Sequence, residues 1–260
     1  MTTRLTAIGS GKGGTGKTLI AVSLAHALAH RGERVLLCDA DLGLSNAGVH
    51  LGLSETGDLA GLLGGRKTLK DAVAHVACGP RASFDILAAP SGSGALADAG
   101  DETIERLIAA VAQASAYDRV LIDLGAGVDS RIMTFAANAD DVLLVVTPDP
   151  SSLTDAYAFA KLLLRRTTTR VPQLVVNMAL NATEARRIAE ALMGSARAFL
   201  KSAPEFLGHI PFDSRVPEAV RRQSALLALY PQSPAATAIE TLALRLHGAS
   251  KVNLAAAGLR

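Results

Sequence analysis

The 260-residue sequence predicts an α/β fold: a single doubly wound, mainly parallel sheet with helices on both faces. Three observations carry this. Short apolar runs alternate with helical segments throughout, the order of strand–helix–strand units with right-handed crossovers. Several runs are apolar at every position, as strands are when both sheet faces are covered. A glycine-rich turn joins the first run to the first helical segment.

In chain order, Leu5–Ile8 is the first strand, and the apolar periodicity of Leu19–Ala29 makes a helix over 17–31. Val35–Cys38 and Phe84–Leu87 are the next strands, with flexible loops at Gly64-Gly65 and Ser91-Gly92-Ser93-Gly94. A helix over 101–116 leads to the strand Arg119–Ile122, and a helix over 129–138 to the strand Asp141–Val146. A helix over 151–166 precedes Gln173–Val176, and one over 181–201 precedes Phe206–Ile210. Helices over 215–223 and 234–247 end the series. Asp101, Ser151 and Asn181 are expected N-caps, because their side-chain oxygens can accept free helical N–H groups.

Hydrophobic residues make up 49% and charged residues 19%, the balance of a globular chain and not a disordered one. That length supports one large domain with a full core. No apolar run has the length of a membrane span, and no basic-then-apolar leader opens the chain, so a cytosolic location is expected. Cys38 and Cys78 lack metal-ligand spacing; Cys38 is expected to be a buried thiol and Cys78 a loop or helix-end residue. The net charge is +2, there is no Trp, and aromatics are 3%, which disfavours base stacking as the main binding mode and leaves phosphate contacts open.

Gly11 to Thr18 fits G-x-x-x-x-G-K-[ST] between a strand and a helix, a phosphate-binding loop. Gly11, Gly13, Gly14, Thr15 and Gly16 supply backbone N–H groups, and the helix beginning near Lys17 adds its positive dipole end. Lys17 is expected at the β- and γ-phosphates of ATP, and the Thr18 hydroxyl at Mg²⁺. A second lysine, Lys12, lies inside the loop; it either reaches a partner's nucleotide in trans or is a solvated loop lysine. Asp123 closes the strand Arg119–Ile122, where a carboxylate can hold Mg²⁺ or cap a helix. Gly125 and Gly127 after it suit a loop that senses the γ-phosphate. Asp39 and Asp41 end the second strand, and two carboxylates beside a triphosphate require compensating Mg²⁺ and lysine charge; turn capping is their alternative. The glycine loop, Asp39/Asp41, Asp123, Pro148–Pro150, Asn177 and Pro211–Asp213 all follow strands, so they converge on one sheet edge.

Gly11 to Thr18 resembles the deviant Walker A motif of the ParA/MinD family of dimerising ATPases. Asp39-Ala40-Asp41-Leu42-Gly43-Leu44-Ser45-Asn46, Asp123 to Gly127 and Thr147 to Tyr157 make it most similar to the family's flagellar-number branch. The likeness runs from residue 5 to about residue 230. It implies that Lys12 acts across an ATP-bound homodimer, that Asp41 orients the attacking water, and that Asp39 sits near Mg²⁺. It also implies that Asn177 reads the adenine amino group, that Pro211 and Asp213 belong to the loop lining the base, and that Asp149 and Asp155 touch the partner subunit; a turn asparagine and a solvated Asp155 stand as alternatives. The implied partners are a signal-recognition-particle-type GTPase, a transcription activator or switch components, and the implied task is setting the number or placement of a polar assembly such as flagella.

Residues 1–248 form the expected ATPase domain and 249–260 a C-terminal tail. Relatives often end in a membrane-binding amphipathic helix. Here Val252, Leu254 and Leu259 are the larger apolar groups, with Lys251 and Arg260 as cations. Burying each apolar group gains roughly 1.5–3 kcal/mol, and ordering takes back about 1–2 kcal/mol per residue, so membrane association at the inner face is expected to be weak and to depend on two tails. Two other readings stand beside the switch ATPase. One is a partition or positioning ATPase binding DNA nonspecifically through Arg165, Arg166, Arg170, Arg186, Arg187, Arg221 and Arg222, which otherwise form solvated faces. The other is a nucleotide-binding scaffold with little turnover.

Overall fold

A computed structural model describes residues 3–41, 45–80, 82–89, 100–167, 170–200 and 202–257, with side chains described up to residue 248. Leu42 to Leu44, the loop 91–94 and the tail side chains named above lie outside the described residues.

Among the described residues eight strands form one sheet. The chain runs β1 (Arg4–Ser10), α1 (Lys17–His30), β2 (Val35–Ala40), α2 (Ala47–His50), α3 (Leu59–Leu63), α4 (Leu69–Ala72), β3 (Ala74–Ala77) and β4 (Ser83–Leu87). It continues α5 (Asp101–Ala112), β5 (Arg119–Ala126), α6 (Ser130–Asn138), β6 (Asp141–Val146), α7 (Pro150–Arg166), β7 (Gln173–Ala179) and α8 (Ala182–Leu200). Then come β8 (Glu205–Pro211), α9 (Arg215–Arg221), α10 (Leu226–Leu229) and α11 (Pro234–Ala257). The strand order is β3-β4-β2-β5-β1-β6-β7-β8, parallel except for the β3–β4 pair. The doubly wound sheet expected from the alternation is therefore what the chain forms.

Each face of the sheet carries its own apolar layer. Leu107, Met133, Phe135, Phe159, Leu163 and Leu192 cover one face from α5 to α8. Leu24, Leu28, Ile239, Leu242 and Leu246 cover the other from α1 and α11. β2 and β6 are buried at every position, which explains their uninterrupted apolar character. Cys38 is buried, and Cys78 follows β3 in the hairpin turn.

All seven expected strands are present, several extended; β5 runs on to Ala126. The eighth, β3, has the sequence Ala-His-Val-Ala, too short and too weakly apolar to stand out before its pairing with β4. Two expected caps are corrected. Asp101 lies inside α5, whose N-cap is Gly100. Ser151 lies inside α7, whose N-cap is Asp149; its carboxylate accepts from Ser152 N–H at 3.0 Å, and Pro150 occupies the first helical position, where its missing N–H costs nothing. Asn181 does cap α8, accepting from Glu184 N–H at 2.9 Å while Glu184 reaches back to Leu180 N–H at 2.7 Å. Helix α11 passes without a break through residue 248, where the domain–tail boundary was expected.

Candidate functional site

The carboxyl ends of β1, β2, β5, β6, β7 and β8 all carry residues singled out from the sequence. β1 leads into the glycine loop. Gly14 and Gly16 have φ of +76° and +89°, a left-handed conformation that strains any residue with a Cβ. Gly11 allows close approach: a Cβ there would overlap the Asp155 carbonyl of α7. A Cβ on Gly13 would meet the Ala126 methyl at 3.9 Å, an ordinary contact. Gly16 caps α1 without a side-chain hydrogen bond, and the first turn has no acidic residue, so the helix N–H groups and dipole remain available to an anion.

Lys17 is buried, and its ammonium donates to Ser10 Oγ at 3.0 Å. Burial lowers its pKa, opposed by the charges of Asp123 and Asp41. Ser10, not singled out from the sequence, in turn donates to the Lys12 carbonyl at 2.6 Å and so links the two lysines of the loop. Asp123 faces Ile8 of β1 on one side and Asp39 of β2 on the other. Burial and then the Asp39 charge push its pKa up to about 8, against a hydrogen bond from Thr18 and the charge of Lys17. Asp123 Oδ1 is buried with no partner, as is Thr15 Oγ1.

That orphaned oxygen beside the Thr18 hydroxyl fits a hard cation such as Mg²⁺, which is commonly held by one or two protein oxygens with the rest from phosphate and water. Asp39 is arranged differently. Its Oδ1 accepts from Asp41 N–H at 3.0 Å, and its Oδ2 accepts from Ser45 Oγ at 2.8 Å and from the Asn46 and Ala47 N–H groups at 3.0 Å. Its carboxylate closes the turn after β2, the capping role given as its alternative. Asp41 projects toward Gly125, where a Cβ would lie 3.6 Å from its Oδ1.

Asn177 at the end of β7 is buried, and its amide donates to the Thr15 carbonyl at 2.8 Å. A Cβ on Gly16 would overlap that amide, so Asn177 props the loop from beneath. The register of β7 against β8 shifts between Asn177 and Ala179, and Met178 takes a positive φ of 59°, rare for a residue with a long side chain. Pro211 ends β8. Asp213 accepts from Arg215 N–H at 2.9 Å and from Ala235 N–H at 3.1 Å. Burial raises the Asp213 pKa, but these bonds outweigh it and the net shift is downward. Sequence reasoning missed the apolar surface here: Met178, Leu180 and Phe212 are all exposed at this end of the sheet.

Lys12 is half-exposed at the rim of the loop, and its charge is paired. Its ammonium lies 3.0 Å from Asp149 Oδ1 and 2.5 Å from Ser151 Oγ, at the start of α7. Hydrogen bonds from Ser151 and Thr147, then Lys12, hold the Asp149 carboxyl well below the usual carboxylate range.

Residues 6–227 match the model of the CobQ/CobB/MinD/ParA nucleotide binding domain. The chain is 37% identical over 241 residues to the antiactivator FleN of Pseudomonas aeruginosa, covering 92% of this chain and 85% of that one. It is 30% identical over 243 residues to the flagellum site-determining protein YlxH of Helicobacter pylori, covering 93% and 81%. Among solved structures it is similar to the septum site-determining protein MinD of Pyrococcus horikoshii complexed with Mg-ADP, with a TM-score of 0.76, 25% identity, and coverage of 94% and 96%.

Proposed function

The chain belongs to the CobQ/CobB/MinD/ParA nucleotide-binding family, on the FleN side of its MinD-like ATPases, and from that premise we propose a dimerising ATP switch. Two copies close face to face on ATP, hydrolysis lets them part, and the cycle sets the number or placement of a polar assembly, flagella above all. One observation carries the reading: a glycine loop with an uncapped helix start stands beside an aspartate whose buried oxygen has no protein partner.

Thr18 and Asp123 would hold Mg²⁺, which would supply positive charge against the charge that develops on the transferring phosphoryl group. The chain's own residues do the rest. Loop N–H groups and the start of α1 bind the phosphates, and Lys17, already desolvated, meets the terminal phosphate charge at low dielectric. Asp41 accepts a hydrogen bond from the attacking water and orients it. Asp39 fixes the backbone that carries Asp41. Lys12 leaves Asp149 and reaches the partner's nucleotide. Asn177 holds the loop, and the end of β7 and the Pro211–Asp213 segment face the base. The P. aeruginosa relative is named an antiactivator, which favours a transcription activator among the partners, with a GTPase or switch components as the alternatives. Among the described residues no helix is long and apolar enough to cross a membrane.

Phosphate release and light scattering, measured with ATP and Mg²⁺, test this. ATP should raise the scattering mass to that of a dimer, and chelation of Mg²⁺ should abolish turnover. A chain that hydrolyses ATP at full rate as a monomer sinks the proposal.

A further inference from the structure

Ser10 stands where three parts of the site meet. It is the last residue of β1 and is fully buried. Its Oγ accepts from the Lys17 ammonium at 3.0 Å and donates to the Lys12 carbonyl at 2.6 Å. Its own carbonyl accepts from Gly127 N–H, just after β5, at 3.0 Å. The strand pairing delivers it there. Ile8 lies opposite Asp123 but Ser10 lies opposite Ala126, so β5 carries one residue more than β1 over this step. An irregularity of this kind bends the strand and re-aims a side chain.

The direction of the bonds through Ser10 is fixed. A serine hydroxyl has one hydrogen, and the Lys12 carbonyl can only accept, so that hydrogen is committed to Lys12. The Oγ lone pairs then face Lys17, whose ammonium can only donate. The order is ammonium, hydroxyl, carbonyl, and a charged first donor polarises the hydroxyl and strengthens the second bond.

Lys12 is therefore anchored twice. Its main chain is held to the end of β1 by a buried hydroxyl. Its side chain is 42% exposed and rests on Asp149 and Ser151 at the start of α7. Only the second anchor lies in the open, so the ammonium can change partners without moving the loop that carries it.

We propose that Ser10 is a positioning residue: its hydroxyl holds the Lys12 backbone in place while the Lys12 ammonium exchanges Asp149 for the nucleotide of a second chain. This rests on the dimerising switch proposed above. Ser10 acts through Lys12 and makes no contact with the nucleotide itself. Without the hydroxyl, the Lys12 segment has to be ordered as the dimer forms, and fixing one residue's backbone is worth about five- to thirtyfold in an equilibrium.

The test uses the full chain with Mg²⁺. Ser10→Ala removes a single hydroxyl and should fold, as a cooperative thermal transition checks. It should bind ADP within about threefold of wild type by calorimetry, because Lys17 and the loop N–H groups remain. Its midpoint concentration for ATP-dependent dimerisation, read by light scattering, should rise at least about tenfold, since each dimer uses two Lys12 segments. In Lys12→Ala, whose residual phosphate release lacks that ammonium, adding Ser10→Ala should change the rate by less than about twofold. A wild-type dimerisation midpoint in Ser10→Ala overturns the proposal. So does a loss of about tenfold in ADP affinity, or a further fall of about tenfold in the Lys12→Ala background, because Ser10 would then serve the phosphates directly. Lys12→Ala alone separates the two failures. If it dimerises as the wild type does, the switch reading falls and this proposal with it; if it does not, while Ser10→Ala dimerises normally, only Ser10 loses its role.

Discussion

Replacing Lys12 with alanine separates two energies. In the single chain Lys12 pairs with Asp149 at 3.0 Å, with the two side chains 42% and 43% exposed. An ion pair that open contributes about 0.2–1 kcal/mol. Its loss should shift Tm by no more than about 4 °C in a domain of this size. A trans-acting cation on a transferring phosphoryl group is worth about 10³- to 10⁵-fold in rate, or about 4–7 kcal/mol. The cis pairing is therefore weak enough to be exchanged for the trans contact. Lys12→Ala should bind ATP within a few-fold of wild type, because Lys17 and the loop N–H groups remain. It should fail to dimerise productively and lose at least about three orders of magnitude in phosphate release. Calorimetry, light scattering and phosphate release measure the three quantities on the same sample. Normal ATP-dependent dimerisation and turnover in Lys12→Ala would refute the trans role.

Asp41→Ala should keep ATP and magnesium binding yet stop hydrolysis, trapping a long-lived dimer by light scattering; unchanged turnover would remove Asp41 from the mechanism. Gly11→Ala should lose tight ATP binding, read by calorimetry, since its Cβ would overlap the Asp155 carbonyl and displace the loop. For Asp123 the folded pKa is raised from 3.8 to about 8, so the folded state holds a proton that the unfolded chain releases. This contribution to stability is full below about pH 4 and is lost as pH rises through about 8. Asp123→Asn should therefore abolish magnesium-dependent turnover while gaining in Tm relative to nucleotide-free wild type as pH rises from 6 to about 9; a Tm difference that stays constant with pH would contradict it.

How far the site could be read from the sequence depended on whether its logic is local. The glycine loop was legible because backbone conformation at Gly14 and Gly16, helix start and lysine lie within one turn. Asp123 was legible because a carboxylate ending an apolar strand stands out. The partners of these residues were not. Asp149 is 137 residues from Lys12, and Asn177 is 162 residues from Thr15; only the strand order places β6 next to β1 and β7 next to β6. Arg119 shows the same limit. An arginine opening a strand reads as solvent-facing, yet it is 1% exposed, paired with Glu33 at 3.0 Å, and donates to the Leu246 carbonyl of α11 at 3.2 Å. Topology buries that charge, and no local pattern announces it.

The fold also creates an electrostatic imbalance that makes sense only with a ligand. Asp39 and Asp123 are paired in register on adjacent parallel strands, both nearly inaccessible, with Lys17 as the nearby buried cation. Asp39 meets its burial in part through hydrogen bonds from one hydroxyl and three backbone N–H groups, and burial still leaves its pKa raised. Asp123 lacks such partners on Oδ1 and instead keeps a proton to about pH 8. Chains folded for stability alone avoid this, since an unmet buried polar atom costs about 1–3 kcal/mol. A divalent cation carried in with a triphosphate would remove the proton's advantage and satisfy the free oxygen, while Lys17 would gain a phosphate partner for its desolvated charge. In the proposed switch, the destabilisation stored between these carboxylates would become affinity for the magnesium–nucleotide complex over either component alone. The proposed switch needs that coupling, because loss of the terminal phosphate would remove the negative charge that Lys17 and the cation face.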